Sequence, residues 1–188
     1  MAYDHYHVIF TIPHELNDLW LGNVAEMSQL LFASVHATLL ERLGDAKYLG
    51  ATPGMIATLH TWSQTLLLHP HIHCLVMGGG LSEAGQWVAV RHGFLLPMGV
   101  VMAVFRGTWL AAIRQGLHQG QLTPPEGTRL QRVDNLLNKL GRAKWHVHIR
   151  ERYPHGQGVL LYVARYVRGG PLSNQRLLAC DGQHVVFR

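Results

Sequence analysis

Apolar and polar positions alternate from the start of the chain. His5–Pro13, HYHVIFTIP, is rich in β-branched and aromatic residues and predicts a strand ended by Pro13. From His14 to about Leu43 the period changes. Leu16, Leu19, Trp20, Met27, Leu30, Leu31, Val35 and Leu39 recur at helical spacing, which predicts one long helix or two broken near Gly22. GATPG interrupts that pattern, and Met55–Gln64, MIATLHTWSQ, resumes as a strand. TLLLHP turns the chain, and His71–Met77, HIHCLVM, predicts a second strand, antiparallel to the first because the connection is short. GGGLSEAGQWVAV then reads as a glycine-rich exit followed by a small hairpin.

Pro97 opens a helix from about Met98 to His118, with Val101, Phe105, Trp109, Ile113 and Leu117 on one face. QGQLTPPEG is a loop, and TRLQRVDNLLNKLG predicts a short helix closed by Gly141. KWHVHIRERY predicts a strand, PHGQG a turn, VLLYVARYVRG a helix stopped at Gly169 and Gly170, and HVVFR a last strand. Strands separated by helices around a central strand pair predict an α+β fold: one antiparallel sheet with helices packed on it, in a single domain over residues 1–188.

Composition narrows the class. Of 188 residues, 48% are apolar and 14% charged, which predicts a globular chain with a real core. No apolar run approaches the roughly 20 residues that span a bilayer, and the start has no basic-then-apolar leader pattern. The two cysteines, Cys74 and Cys180, exclude a CxxC zinc ribbon and point to a reducing compartment. A formal charge of +5 suits a polyanionic partner. Fourteen histidines say more, because six fall in three HxH pairs: His5/His7, His71/His73 and His146/His148. On a strand each pair shares a face.

In HPHIH, His71 and His73 point one way and Ile72 the other, into the core. Two imidazoles about 7 Å apart along a strand can converge on one divalent cation such as Zn, Mn, Co or Ni. A third ligand should come from the neighbouring strand, where LHTWSQ supplies His60 and Gln64. Such a set, with open positions, is that of a catalytic site. HxH also arises by chance in a histidine-rich chain. His5/His7 begins at the N-terminal end of the chain, which makes it a weaker candidate. His146/His148 is flanked by GRAK and RER, and positive neighbours favour phosphate over a cation. The glycines after His71/His73 would admit the backbone of a substrate.

Tyr162 and Tyr166 stand at i and i+4 in LLYVARYVRGG, so on a helix they share a face, with Cβ atoms about 5–6 Å apart. Tyrosines so spaced pack in cores more often than they react. Here Arg165 and Arg168 lie beside them and can bind phosphate. A phenol of pKa about 10 needs help to attack a phosphodiester, and a metal on the histidine strand would supply it.

With HPHIH, YVARYV and VIFTIPHEL in hand, the chain resembles the HUH-type two-tyrosine transposases of the rolling-circle insertion sequences. HUH denotes two histidines around a bulky apolar residue, here His71, Ile72 and His73. The resemblance extends through LHTWSQ, LVMGGGL, FRGTWL and YVRGGPLSNQRLLACDGQHVVFR, in the family's order over nearly the whole chain. It implies an HUH nuclease-like sheet, a divalent cation (Mg or Mn), and cleavage of single-stranded DNA at transposon ends and target. A tyrosine would do the cutting, leaving a 5′-phosphotyrosine and a free 3′-OH. It implies Tyr162 and Tyr166 as nucleophiles, and His71, His73 and Gln64 as metal ligands with His60 the alternative third. His69 would be a neighbour outside the ligand set. Arg165, Arg168, Lys144 and Arg150, with Arg91 a further candidate, would contact DNA. The expected setting is the bacterial cytoplasm with the nucleoid, with no membrane partner. The chain departs from the family in lacking a cysteine-rich zinc segment before the first strand and in stopping soon after the tyrosines, which suggests a truncated copy. A relaxase or replication initiator on the same fold, an inactive DNA-binding remnant, and a histidine-rich metal-binding protein without a DNA role are the other readings.

Overall fold

The computed structural model describes residues 4–63, 65–153 and 176–187. The alternating first segment forms β1 (His5–Thr11). A 3₁₀ turn at His14–Leu16 leads into α1 (Asn17–Gly22) and α2 (Val24–Gly44), so the helical stretch is broken at Asn23, immediately after Gly22. There follow β2 (Thr52–Trp62), β3 (Leu68–Leu81), β4 (Trp87–Ala89), α3 (Met98–His118), α4 (Leu130–Arg142) and β5 (His146–Tyr153). Two short strands, β6 (Leu177–Cys180) and β7 (Val185–Phe187), pair with each other in a separate two-stranded sheet.

The main sheet runs in the order β2-β3-β1-β5, every neighbouring pair antiparallel, with β4 extending the far end of β3. This is the α+β arrangement expected. One face is apolar: Val8, Phe10, Ile72, Cys74, Val76 and Val147 are buried there with the helices. Aromatic rings tie α3 to that face. Phe10 meets the Phe105 ring edge-on at 4.9 Å, and Phe105 and Trp109 each meet Trp145, just before β5, at 5.8 and 5.9 Å. Burying a side chain of this size is worth about 1.5–3 kcal/mol, and edge-to-face pairing adds to it. α2 packs on α3, and α4 packs on α3 in turn. No described helix is long and apolar enough to cross a membrane.

Three local expectations change. β3 does not end before the glycines; it continues through Gly78, Gly79 and Gly80 to Leu81. Those glycines do not make room for a substrate. A Cβ on Gly79 would lie 2.4 Å from the Trp87 ring, one on Gly80 2.4 Å from the Thr52 carbonyl oxygen, and one on Gly78 2.8 Å from the Asp4 carbonyl oxygen. Their missing side chains let the chain pack against itself. Gly141 does not close its helix either: α4 passes through it to Arg142, and Ala143 caps it in an extended conformation. β6 is an element that the alternation reading does not predict.

Candidate metal centre

The opposite face of the main sheet carries the histidines. Cross-strand register sets His60 opposite His71, Thr58 and Ile9 on either side of His73, and Thr11 between His71 and His146. Strand alternation therefore gathers His60, His71 and His73 on this one face, while Ile72 between the pair is fully buried on the other.

One nitrogen from each of His60, His71 and His73 lies within 4.8 Å of the others, the only group of three or more metal-binding side chains among the described residues. Ring centroids are 4.8 Å apart for His71 and His73, 4.7 Å for His60 and His73, and 5.5 Å for His60 and His71. His60 and His73 are buried and His71 half-buried. These three residues could hold a metal ion.

Their orientation is fixed by neighbours. His71 Nδ1 lies 2.6 Å from the His69 carbonyl oxygen, so Nδ1 carries the proton and donates it, leaving Nε2 as a lone-pair donor. His73 Nδ1 lies 2.8 Å from Nε2 of His7, a side chain only 2% exposed. His60 stacks on Trp62 with ring centroids 4.7 Å apart and planes 14° from parallel. Burial lowers the pKa of His71 below the ordinary value; the neighbouring His69 and His60 act in the same direction, and the bond to the His69 carbonyl opposes them. Burial lowers His69 likewise. A neutral imidazole is the form that binds a cation. The donor set therefore fits a divalent metal: three imidazoles, two of them held through Nδ1, on the sheet face opposite the apolar core.

His71 and His73 are thus brought together as expected. The third imidazole beside them is His60, the alternative; Gln64 lies outside the described residues. His69 contributes its backbone carbonyl to His71. His146 and His148 stack at 6.1 Å on the same sheet face, exposed on the outer strand β5. Lys144 is exposed just before them and lines a hollow of about 190 Å³ with Thr11, His14, Glu15 and His146. Arg150 occupies the β5 position opposite His7. Arg91 is exposed in the bend after β4. Tyr162, Tyr166, Arg165 and Arg168 lie outside the described residues. The residue that sequence reasoning passed over is His7. His73 is far from it in sequence, and only the β1–β3 register reveals that the two are neighbours.

A family model described as "Putative transposase" (Y2_Tnp) matches residues 54–188. The chain is 36% identical over 189 aligned residues to "Putative transposase y4qJ" of Sinorhizobium fredii, covering 98% of this chain and 48% of the relative. It is 29% identical over 178 residues to the transposase for insertion sequence element IS801 of Pseudomonas savastanoi pv. phaseolicola, covering 91% of this chain and 40% of the relative. The chain thus spans about half or less of the length of these curated relatives. Among solved structures, a metal-bound conjugative relaxase TrwC in complex with oriT DNA aligns at a TM-score of 0.45 and 14% identity, over 76% of this chain and 66% of that one.

Proposed function

The chain belongs to the transposase family whose model spans its residues 54–188, and on that premise we propose that its histidine face is the metal centre of a nuclease that cuts and rejoins single-stranded DNA. The observation that carries this reading is the convergence of His60, His71 and His73 within 4.8 Å on the sheet face opposite the apolar core.

In this reading His60, His71 and His73 hold a divalent cation, Mg or Mn, which supplies charge neutralisation and polarisation of the scissile phosphate. Gln64, two residues beyond the end of β2 in sequence, is the other candidate for the third position. Tyr162 or Tyr166 provides the nucleophile. Its phenol loses a proton, the phenolate oxygen bonds to phosphorus, and the bond from phosphorus to the 3′ oxygen breaks. The products are a 5′-phosphotyrosine and a free 3′-OH. Rejoining is the reverse attack by a 3′-OH, and a second tyrosine allows a second strand to be cut while the first is held. Arg165 and Arg168, which stand on either side of Tyr166 in sequence, neutralise phosphate beside the tyrosines. Lys144 and Arg150 track the strand along β5. The substrates are single strands from the ends of an insertion sequence and from its target.

The test is covalent capture. The full chain is incubated with Mn and a labelled oligonucleotide from the element's end, and protein–DNA adduct is read on a denaturing gel. An adduct that is lost in Tyr162→Phe/Tyr166→Phe and in His71→Ala supports the reading. Salt-sensitive binding of the strand without any adduct overturns it in favour of a DNA-binding remnant.

A further inference from the structure

The metal reading above assigns ligands but leaves a buried fourth imidazole without a role. His7 sits on β1, diagonal to His73: the register pairs His7 with Leu75 and Ile9 with His73. Diagonal neighbours on one sheet face are within reach of each other when the side chains are long. The two rings lie 5.0 Å apart at 27°, and Nε2 of His7 is 2.8 Å from Nδ1 of His73. Both residues are over nine-tenths buried, at 2% and 6% exposure.

A hydrogen bond between two neutral imidazoles needs one N–H and one lone pair, so this contact has two forms. If His7 donates, His73 must carry its own proton on Nε2 and has no lone pair left for a cation. If His73 donates through Nδ1, its Nε2 is free to bind. The same division is already made at His71, whose Nδ1 proton goes to the His69 carbonyl. A carbonyl can only accept, whereas His7 can do either. The His73 ligand is therefore switchable where the His71 ligand is fixed.

We propose that His7 is a positioning residue of the metal centre: its Nε2 accepts the Nδ1 proton of His73, holding that ring in the one tautomer whose Nε2 can take a divalent cation. The proposal rests on the metal reading. Partners of this kind orient ligands and typically change metal affinity by about 10–100-fold when removed. The role requires an acceptor at the position of His7 Nε2, which an amide oxygen can supply. His7→Gln should therefore retain function where His7→Leu, which fills similar space without an acceptor, does not.

Two measurements test it on the full chain. The first is titration with Mn and with Co, followed by calorimetry and by the Co absorption bands. His7→Leu should bind about 10–100-fold more weakly than the unsubstituted chain, and His7→Gln within a few fold of it. Equal binding by a folded His7→Leu overturns the proposal. The second is the ¹⁵N tautomer signature of His73 in the unsubstituted chain with Zn bound, which needs no variant to fold. Protonation at Nδ1 is expected; protonation at Nε2 overturns the proposal even if His7→Leu cannot be made. Failure of the unsubstituted chain to bind any of these metals removes the underlying metal reading and this role with it. That outcome differs from failure of the role alone, in which metal binds and His7→Leu changes nothing.

Discussion

His60 and His71 face each other directly across the β2–β3 pairing, their ring centroids 5.5 Å apart and their planes nearly perpendicular at 82°. The two rings do not stack, and one nitrogen of each lies within 4.8 Å of the other. This relationship separates the two candidates for the third ligand. His60 is inside the sheet pairing, buried and braced on Trp62, whereas Gln64 follows the end of β2.

The expected outcome is that His60→Ala abolishes high-affinity binding of Mn or Co, as His71→Ala and His73→Ala do, while Gln64→Ala stays within about threefold of the unsubstituted chain. Losing one of three imidazoles removes a ligand outright, a larger effect than the roughly 10–100-fold that follows loss of an outer hydrogen-bond partner. Calorimetric titration decides it. Normal affinity in His60→Ala together with a collapse in Gln64→Ala would reverse the assignment.

Two glycines should respond to alanine in opposite directions. Gly80 is buried in β3, and a Cβ there would lie 2.4 Å from the carbonyl oxygen and 2.5 Å from the carbonyl carbon of Thr52, both backbone atoms that cannot swing aside. Gly80→Ala should cost about 1–3 kcal/mol by overpacking. Gly107 is exposed in α3, with nothing within 4 Å of its Cβ position. Gly107→Ala should stabilise by about 0.5–1 kcal/mol by lowering the entropy lost in forming a helix. Urea midpoints of the two variants would read both signs, and a stable Gly80→Ala would show that β2 can give way at Thr52.

These glycines also mark what the sequence could and could not reveal. Periodicity placed α3 from Met98 to His118, because an apolar stripe and an N-terminal proline are local signals. It placed β1 and β5, and the inward turn of Ile72 between two histidines. GGG at Gly78–Gly80 reads locally as an exit, yet it is strand, because the reason for each glycine is a partner far along the chain: Asp4, Trp87 and Thr52. Gly141 misleads in the same way, since nothing at its own position forces the left-handed turn that would end a helix. The histidine site shows the same limit. HxH reveals two ligands on one face, but His60 and His7 join them through register between strands, which alternation within a strand does not encode.

The two cysteines should differ sharply in reactivity. Cys74 is fully buried on the helix-covered face, and burial pushes its thiol up to about 12 from an ordinary 9.0. At neutral pH its thiolate, the reactive form, is then about a thousandfold scarcer than that of an ordinary thiol. Cys180 is exposed on β6. A disulfide reagent at pH 8 should titrate one thiol in the folded chain and two in denaturant. Rapid reaction of both in the folded chain would mean that the β1–β3 core opens readily. Metal binding should leave the Cys74 result unchanged, because its side chain and those of His71 and His73 lie on opposite faces of β3.

Asn23 holds the break between α1 and α2 and should be the costliest polar residue to remove near it. The side chain is 5% exposed and makes three bonds. Its Nδ2 donates to the Leu19 carbonyl at 2.9 Å and to the Thr123 carbonyl at 2.8 Å, and its Oδ1 accepts from the Thr123 amide at 2.7 Å. The first closes α1, and the other two clamp the loop after α3 to the helix junction. Thr123 is exposed, so water can replace part of what it loses, which brings the cost of Asn23→Ala to about 2 kcal/mol by the ordinary worth of buried hydrogen bonds. Asn23→Asp keeps the acceptor for the Thr123 amide but loses both donors and places a carboxylate against two carbonyl oxygens. It should therefore be at least as destabilising as alanine, although it is closer in shape. Hydrogen exchange at the Thr123 amide separates the two: protection should be lost in Asn23→Ala and retained in Asn23→Asp. Equal protection in both variants, or a loss of stability below about 0.5 kcal/mol in Asn23→Ala, would mean that apolar packing of α2 on α3 holds the junction without the clamp.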